Sequence, residues 1–199
     1  ELLNIAFELE FNFIYVLASI EQKGIKVDVE LLKKYKESSF VYLNELTQNI
    51  YEACGESFNI NSPKQLGVIL FEKLELASSK KTKTGYSTDE SVLESLKNEH
   101  KVVPLLLKYR EAFKLHSTYI EPLLELGLKD SENRVFSSFL HTGTTTGRLS
   151  SKNPNLQNIP VGTFSDIQIR RAFIAQDGYK LVGVDYSQIE LRLLAHFSK

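Results

Sequence analysis

Asp28-Val-Glu-Leu-Leu-Lys-Lys-Tyr-Lys-Glu-Ser-Ser-Phe-Val-Tyr-Leu-Asn-Glu-Leu-Thr-Gln-Asn-Ile-Tyr51 opens on a carboxylate able to accept from the first amides of a helix. Behind it Leu31, Leu32, Tyr35, Leu43, Leu46 and Ile50 keep a rough helical period, which predicts one long helix ending near Tyr51 or Ala53. Upstream, Leu2, Ile5, Leu9, Phe13, Val16 and Ile20 recur at three- and four-residue steps. Residues 1–23 therefore read as an amphipathic helix with Gly24 as its C-terminal cap. Downstream, Ser62-Pro63 opens a third helix with Leu66, Ile69 and Leu70 inward. Ser87 with Glu90 forms a capping box before Val92, Leu93 and Leu96, and Pro104 starts a helix carrying Leu106, Tyr109, Phe113 and Tyr119 up to Pro122.

About two thirds of the chain then reads as helical. Between the third helix and the capping box, residues 78–86 carry three lysines and no acid or aliphatic side chain, so an exposed loop is expected. From Arg134 the character changes. Arg134–His141 alternates like a strand, residues 142–165 are rich in Gly, Thr, Ser, Asn and Pro, Leu181–Val184 reads as a short buried strand, and Gln188–Phe197 as a helix. The fold class is mostly α with a small α/β part, and the boundary between them falls near residues 124–134.

The 199 residues include 42% hydrophobic and 25% charged, the balance of a globular chain and not of a disordered or collagenous one. The net charge is −1, so an anionic partner must be met by a local patch. The single Cys54 excludes an internal disulfide and a cysteine zinc site, and it suits a reducing compartment. No apolar run of ~18 residues and no signal peptide is read, so the expectation is a cytoplasmic protein with no membrane partner. The chain starts at Glu1 and contains no Met, which reads as a piece of a longer protein.

Chemistry concentrates toward the C-terminus. From Arg134 to Ile174 there are five cations against one acid, a net of +4, set among the short polar side chains of Thr144, Thr145, Thr146, Ser150, Ser151, Asn153, Asn155, Gln157 and Asn158. Side chains of this kind make many of the phosphate and sugar contacts to DNA, although a polar surface loop has the same composition. Leu181-Val-Gly-Val-Asp185 is an apolar run ending in a carboxylate, a position suited to a hard divalent cation. The other reading of this stretch makes Ser187 and Glu190 a capping box that Asp185 merely precedes. His100, His141 and His196 have no partner at metal-ligand spacing, and Cys54 has no obvious base, so all four read as structural.

Thr146-Gly-Arg-Leu-Ser-Ser, Pro154-Asn-Leu-Gln-Asn-Ile-Pro160, Ile169-Arg-Arg-Ala-Phe-Ile and Asp185-Tyr-Ser-Gln-Ile-Glu-Leu-Arg192 together resemble the family A DNA polymerases. Gly24-Ile-Lys-Val-Asp28, Phe58-Asn-Ile-Asn-Ser-Pro-Lys-Gln-Leu66, Lys83-Thr-Gly-Tyr-Ser-Thr-Asp89 and Lys114-Leu-His-Ser-Thr-Tyr119 resemble that family's thumb region. The resemblance covers essentially the whole chain. It implies a helix leading from the palm into the thumb at 1–28, a helical thumb at 29–123, and at 124–199 a partial palm sheet ending just after the first catalytic motif.

The resemblance further implies roles. Asp185 matches a palm aspartate that bridges two magnesium ions, Mg2+, with the Tyr186 backbone carbonyl as a further ligand. Glu190 matches a steric gate that excludes a 2′ hydroxyl. Arg148 matches an arginine reaching the minor groove at the primer end, where acceptors are alike in every correct pair. Asn155, Gln157 and Asn158 match side chains along the duplex minor groove and backbone, and Arg110 and Lys114 match thumb contacts to phosphate. Lys80, Lys81 and Lys83 match a thumb tip that grips product duplex, though a bare lysine run also serves solubility. Arg170, taken with the DNA-binding set, and Arg171 are suited either to phosphates or to pairing with acids. His116 stands where the family often has a lysine, which weakens phosphate contact.

The implied partners are primer–template duplex and, for the parent enzyme, deoxynucleoside triphosphates, in replication and repair beside the nucleoid. The family's nucleotide-binding fingers helix and its later His-Asp-Glu palm motif are not in this sequence. The expectation is a polymerase fragment that grips duplex without catalysing and self-associates through its incomplete palm. A non-catalytic duplex-binding or interaction module is the alternative.

Overall fold

The computed structural model describes residues 2–77, 81–82, 85–162, 164 and 166–198, of which the helices dominate, at 56%. α1 (Leu2–Ile5), a π-helical turn (Ala6–Glu10) and α2 (Phe11–Lys23) run on from one another, and Gly24 ends them at φ 57° with its N–H on Ile20 O. β1 (Ile25–Val27) leads into α3 (Val29–Cys54). Asp28 caps α3 by accepting from Leu31 N at 2.9 Å, and Gly55 closes it in the left-handed region. Ser62 caps α4 (Pro63–Val68), which continues as a π-helical turn (Ile69–Lys73).

After the hairpin of β2 (Lys81–Thr82) and β3 (Gly85–Tyr86) come α5 (Glu90–Ser95), α6 (Val102–Lys114), a π-helical turn (Leu115–Ile120) and α7 (Glu121–Lys129). β4 (Arg134–Val135), β5 (Ser138–Leu140), β6 (Ser150–Lys152), a 3-10 turn (Ile169–Ala172), β7 (Phe173–Ile174) and α8 (Ile189–Phe197) complete the order. β1 lies between β4 and β7, antiparallel to both, with Ile25 opposite Val135 and Val27 opposite Phe173, while β5 pairs with β6.

Two cores share the long helices. Leu43, Leu46 and Ile50 of α3 pack with Leu66, Leu70, Leu93 and Leu106 in one. Leu32 and Tyr35, from the other end of α3, pack with Leu115, Ile120, Leu123, Ile169 and Ala172 in the second. A polar cross-link joins the elements between them: Ser39 Oγ is 2.7 Å from His116 Nδ1, and Glu121 Oε1 lies 3.6 Å from His116 Nε2 and 2.8 Å from Lys36 Nζ.

Several expectations are corrected. Residues 78–86 are not all loop, because β2 and β3 pair and Tyr86 packs on Phe71 with ring centroids 4.9 Å apart. The cap of α5 is Asp89, not Ser87: its carboxylate accepts from Val92 N at 3.0 Å and from Ser87 Oγ at 2.8 Å, so the serine orients the cap. The helix expected from Pro104 to Pro122 begins at Val102, where His100 Nδ1 accepts from the Val102 N–H, and passes through Pro122 into α7. Pro122 has no N–H and its ring crowds the carbonyl four residues back; the widened π-helical turn before it, with Glu121 N on His116 O, takes up that conflict.

Leu181–Val184 is neither a strand nor buried, with Val182 81% and Val184 91% exposed. A strand needs a ladder partner, and the β4-β1-β7 sheet does not reach it. Arg134–His141 splits between two sheets, since Ser137 Oγ turns to Ser151 Oγ at 2.7 Å and to the Lys152 and Pro154 carbonyls. No side-chain cap bond holds α8, so the Ser187–Glu190 capping box does not form. Of the first helix only Leu17 is buried, because nothing among the described residues covers the face of Ile5, Leu9, Val16 and Ile20. By length and composition Leu3–Lys23 is apolar enough to cross a membrane, which corrects the expectation that no such run exists.

Two measurements check this account. Asp89→Ala should cost about 1 kcal/mol of stability in urea unfolding and Glu90→Ala no more than about 0.5 kcal/mol, because only the aspartate accepts the helix amide. The hydrogen bond from Lys36 holds the Glu121 carboxyl below its ordinary 4.5. A lowered carboxyl stabilises the fold above its unfolded pKa and loses that contribution as pH falls through the folded value. Glu121→Gln should therefore melt lower than the parent at neutral pH, with the gap closing once pH falls below the ordinary carboxylate range. An unchanged gap there would contradict the ion pair.

Candidate nucleic-acid interface

Five of the sequence-selected side chains line one groove of about 610 Å³: Lys114 on the last turn of α6, Asn155, Gln157 and Asn158 on the loop after β6, and Arg170 on the 3-10 turn. No acid lines it. Lys114 is exposed, and so are the three amides. The lysine and the amides lie on different supports. Lys114 rides a helix whose buried face belongs to the first core, while Ile159 pins the loop into the second.

The loop is shaped by hydrogen bonds. Asn155 Oδ1 accepts from Gln157 N at 2.9 Å, which is a local turn, and Gln157 Nε2 donates to Leu149 O at 2.9 Å. Leu156 N donates to Ser151 Oγ at 3.0 Å, and Tyr119 OH donates to Asn158 O at 2.7 Å. Among the described residues Arg170 bonds to backbone carbonyls and not to an acid. Its Nη2 donates to Ile159 O at 3.0 Å and its Nε to Pro160 O at 3.2 Å.

Arg110 and Lys114 are separated in role. The guanidinium of Arg110 is half-buried, with Nη1 on Thr88 O and Nη2 at 3.3 Å from Thr88 Oγ1, and burial lowers its pKa. It ties α6 to the segment that caps α5. His116 is buried, with Nδ1 2.7 Å from Ser39 Oγ, so its imidazole serves the polar cross-link between the two cores. Lys80 and Lys83 lie outside the described residues, and of Lys81 the structure describes only the backbone in β2.

The remaining site residues stand apart from the groove. Arg148 Nη2 lies 3.8 Å from Glu190 Oε1, with side chains 80% and 74% exposed, so the structure brings these two together in a pair of little energetic weight. Asp185 and Tyr186 are exposed on the extended segment before α8. Among the described residues no three His, Cys, Asp or Glu side chains cluster as a metal site would. The donors offered there, one carboxylate and a backbone carbonyl, are hard oxygens, and these fit Mg2+, which takes one or two carboxylates and keeps several waters. His141 Nε2 lies 3.3 Å from Glu10 Oε2, and burial raises the Cys54 thiol, which disfavours its thiolate. Thr118, which also lines the groove, was not singled out from sequence; its place one turn beyond Lys114 was the available signal.

A family model for DNA polymerase family A matches residues 29–199. DNA polymerase I of Bacillus subtilis (strain 168) is 51% identical over 193 residues, covering 96% of this chain and 22% of that protein. DNA polymerase I of Synechocystis sp. is 47% identical over 201 residues, covering 100% of this chain, its apolar first helix included, and 20% of that protein. The POL domain of Pol1 from M. smegmatis, solved in complex with DNA primer-template and dNTP, matches with a TM-score of 0.84 and 39% identity over 95% of this chain and 33% of that one. The chain thus spans about a fifth of the length of the curated relatives it matches.

The separation of Arg110 from Lys114 is open to measurement. Arg110→Ala should cost about 1–3 kcal/mol, because it strands a buried carbonyl and hydroxyl at Thr88, whereas Lys114→Ala should stay within about 0.5 kcal/mol. Equal losses in urea unfolding would contradict it.

Proposed function

The chain is a member of DNA polymerase family A, and on that footing we propose that it is the thumb and first part of the palm of a template-directed DNA polymerase. Its task in the whole protein is to hold primer–template duplex while deoxynucleoside triphosphates are joined to the primer 3′ end, in replication and repair. The single observation carrying this reading is the acid-free groove that gathers Lys114, Asn155, Gln157, Asn158 and Arg170 from three separated segments. Cations and amides in one channel suit a duplex whose phosphates are alike at every step. The assignment of 1–28 to the helix entering the thumb, 29–123 to the thumb and 124–199 to the palm belongs to the same proposal, as does a cytoplasmic, nucleoid-associated location without a membrane partner.

Within it, Lys114 neutralises a phosphate, with Lys80, Lys81 and Lys83 as further thumb cations. Asn155, Gln157 and Asn158 offer amide donors and acceptors along the minor groove, and Arg148 reads an acceptor there common to all correct pairs. Asp185 and the Tyr186 carbonyl are the residues that would hold Mg2+, which when bound supplies charge neutralisation at the triphosphate and a more acidic 3′ hydroxyl. Glu190 excludes a 2′ hydroxyl by bulk. The exposed apolar faces of α1, α2 and α8 are the surfaces through which the isolated chain would self-associate.

In the full-length protein Asp185→Asn should abolish nucleotide incorporation while duplex affinity stays within a few-fold, and Glu190→Ala should raise ribonucleotide incorporation. Primer extension with each nucleotide type reads both. Near-normal turnover by Asp185→Asn would sink the metal role, and unchanged sugar selection would sink the gate.

A further inference from the structure

Three consecutive carbonyls of the groove loop, those of Asn158, Ile159 and Pro160, accept from two side chains on other elements. Tyr119 OH reaches Asn158 O at 2.7 Å from the π-helical turn. Arg170 reaches Ile159 O at 3.0 Å and Pro160 O at 3.2 Å from the 3-10 turn. Among the described residues the loop has no strand ladder, and Pro160 has no N–H to give one. Ile159, 9% exposed, and the partly buried Leu156 fix where the loop sits, but apolar contacts leave its peptide planes to rotate. Donors on either side of Ile159 set those planes, and with them the aim of Asn155, Gln157 and Asn158. The Tyr119 ring is buried in the second core, so its hydroxyl is held in place by packing.

We propose that Tyr119 and Arg170 are positioning residues for duplex binding: together they clamp the 158–160 carbonyls and present the loop amides to the groove, and the Arg170 guanidinium acts on the protein's own backbone instead of on phosphate. The proposal rests on the reading of the groove as a duplex interface. It separates two roles that residue type alone does not. A cation that neutralises a phosphate contributes to the salt dependence of binding, about 0.9 in the log–log slope, whereas a clamp changes affinity and leaves that slope alone.

The test uses the full-length protein and a fluorescent primer–template duplex, titrated at several salt concentrations, with amide hydrogen exchange of the loop as a second readout. Tyr119→Phe removes one hydroxyl and keeps the ring in the core; Arg170→Lys keeps the charge and loses the fork that spans two carbonyls. Each should weaken duplex binding about three- to tenfold with the salt slope unchanged, and should speed exchange over residues 155–161 without duplex present. The double variant should lose less than the product of the two, because both act on one loop. Wild-type affinity in both single variants, or loop exchange unaltered in both, would overturn the clamp, as would Arg170→Lys binding like the parent while Arg170→Gln flattens the slope by about 0.9. A parent protein with no salt-dependent duplex binding would remove the reading of the groove, and the clamp with it.

Discussion

One helix belongs to two cores. Val29–Cys54 is about 39 Å long at 1.5 Å per residue, and it buries Leu32 and Tyr35 in one cluster and Leu43, Leu46 and Ile50 in the other. The α6–α7 run makes the reverse passage, from Leu106 and Ala112 in the first cluster to Leu115 and Ile120 in the second. The crossing point is where the helix widens into a π turn, where Ser39 meets His116, and where Lys114 emerges. A rigid element shared by both clusters fixes the distance between them, and a groove built from both inherits that fixed geometry.

The other wall of the groove is made differently. It has almost no core of its own beyond Ile159 and the partly buried Leu156, and its form comes from side chains bonded to backbone: Ser151 to Leu156, Asn155 to Gln157, Gln157 to Leu149. Ser137 reaches across to Ser151 and to the carbonyls on either side of the turn, tying this loop to the β5–β6 hairpin. Polar loops of this kind keep their donors and acceptors near the surface, which is where a polyanion must be met.

Legibility from sequence followed the range of the interaction concerned. The α3 cap and its period depend on residues a few positions apart and were readable, whereas the helix runs to Cys54, just past the expected end at Tyr51 or Ala53. The motif residues that gather in the groove were readable through resemblance, while Thr118 was missed because its role depends on what lies opposite its helix turn. Arg110 and Lys114 are alike by spacing on one helix, yet Thr88 stands beside only one of them. Residue type suits Arg170 to phosphate or acid, and its bonds to backbone carbonyls have no sequence signature. Leu181–Val184 has a strand's composition, but a strand is made by its neighbour, and composition carries no record of one.

The central claim is that the groove between Lys114 and the 154–160 loop is where duplex lies. Hydrogen exchange of the full-length protein, with and without saturating primer–template duplex, tests it most directly, because the loop amides sit outside any ladder and report contact sensitively. Slowed exchange across residues 154–162 on adding duplex is the result expected. Unchanged exchange there, at a duplex concentration shown to saturate binding, would contradict the account.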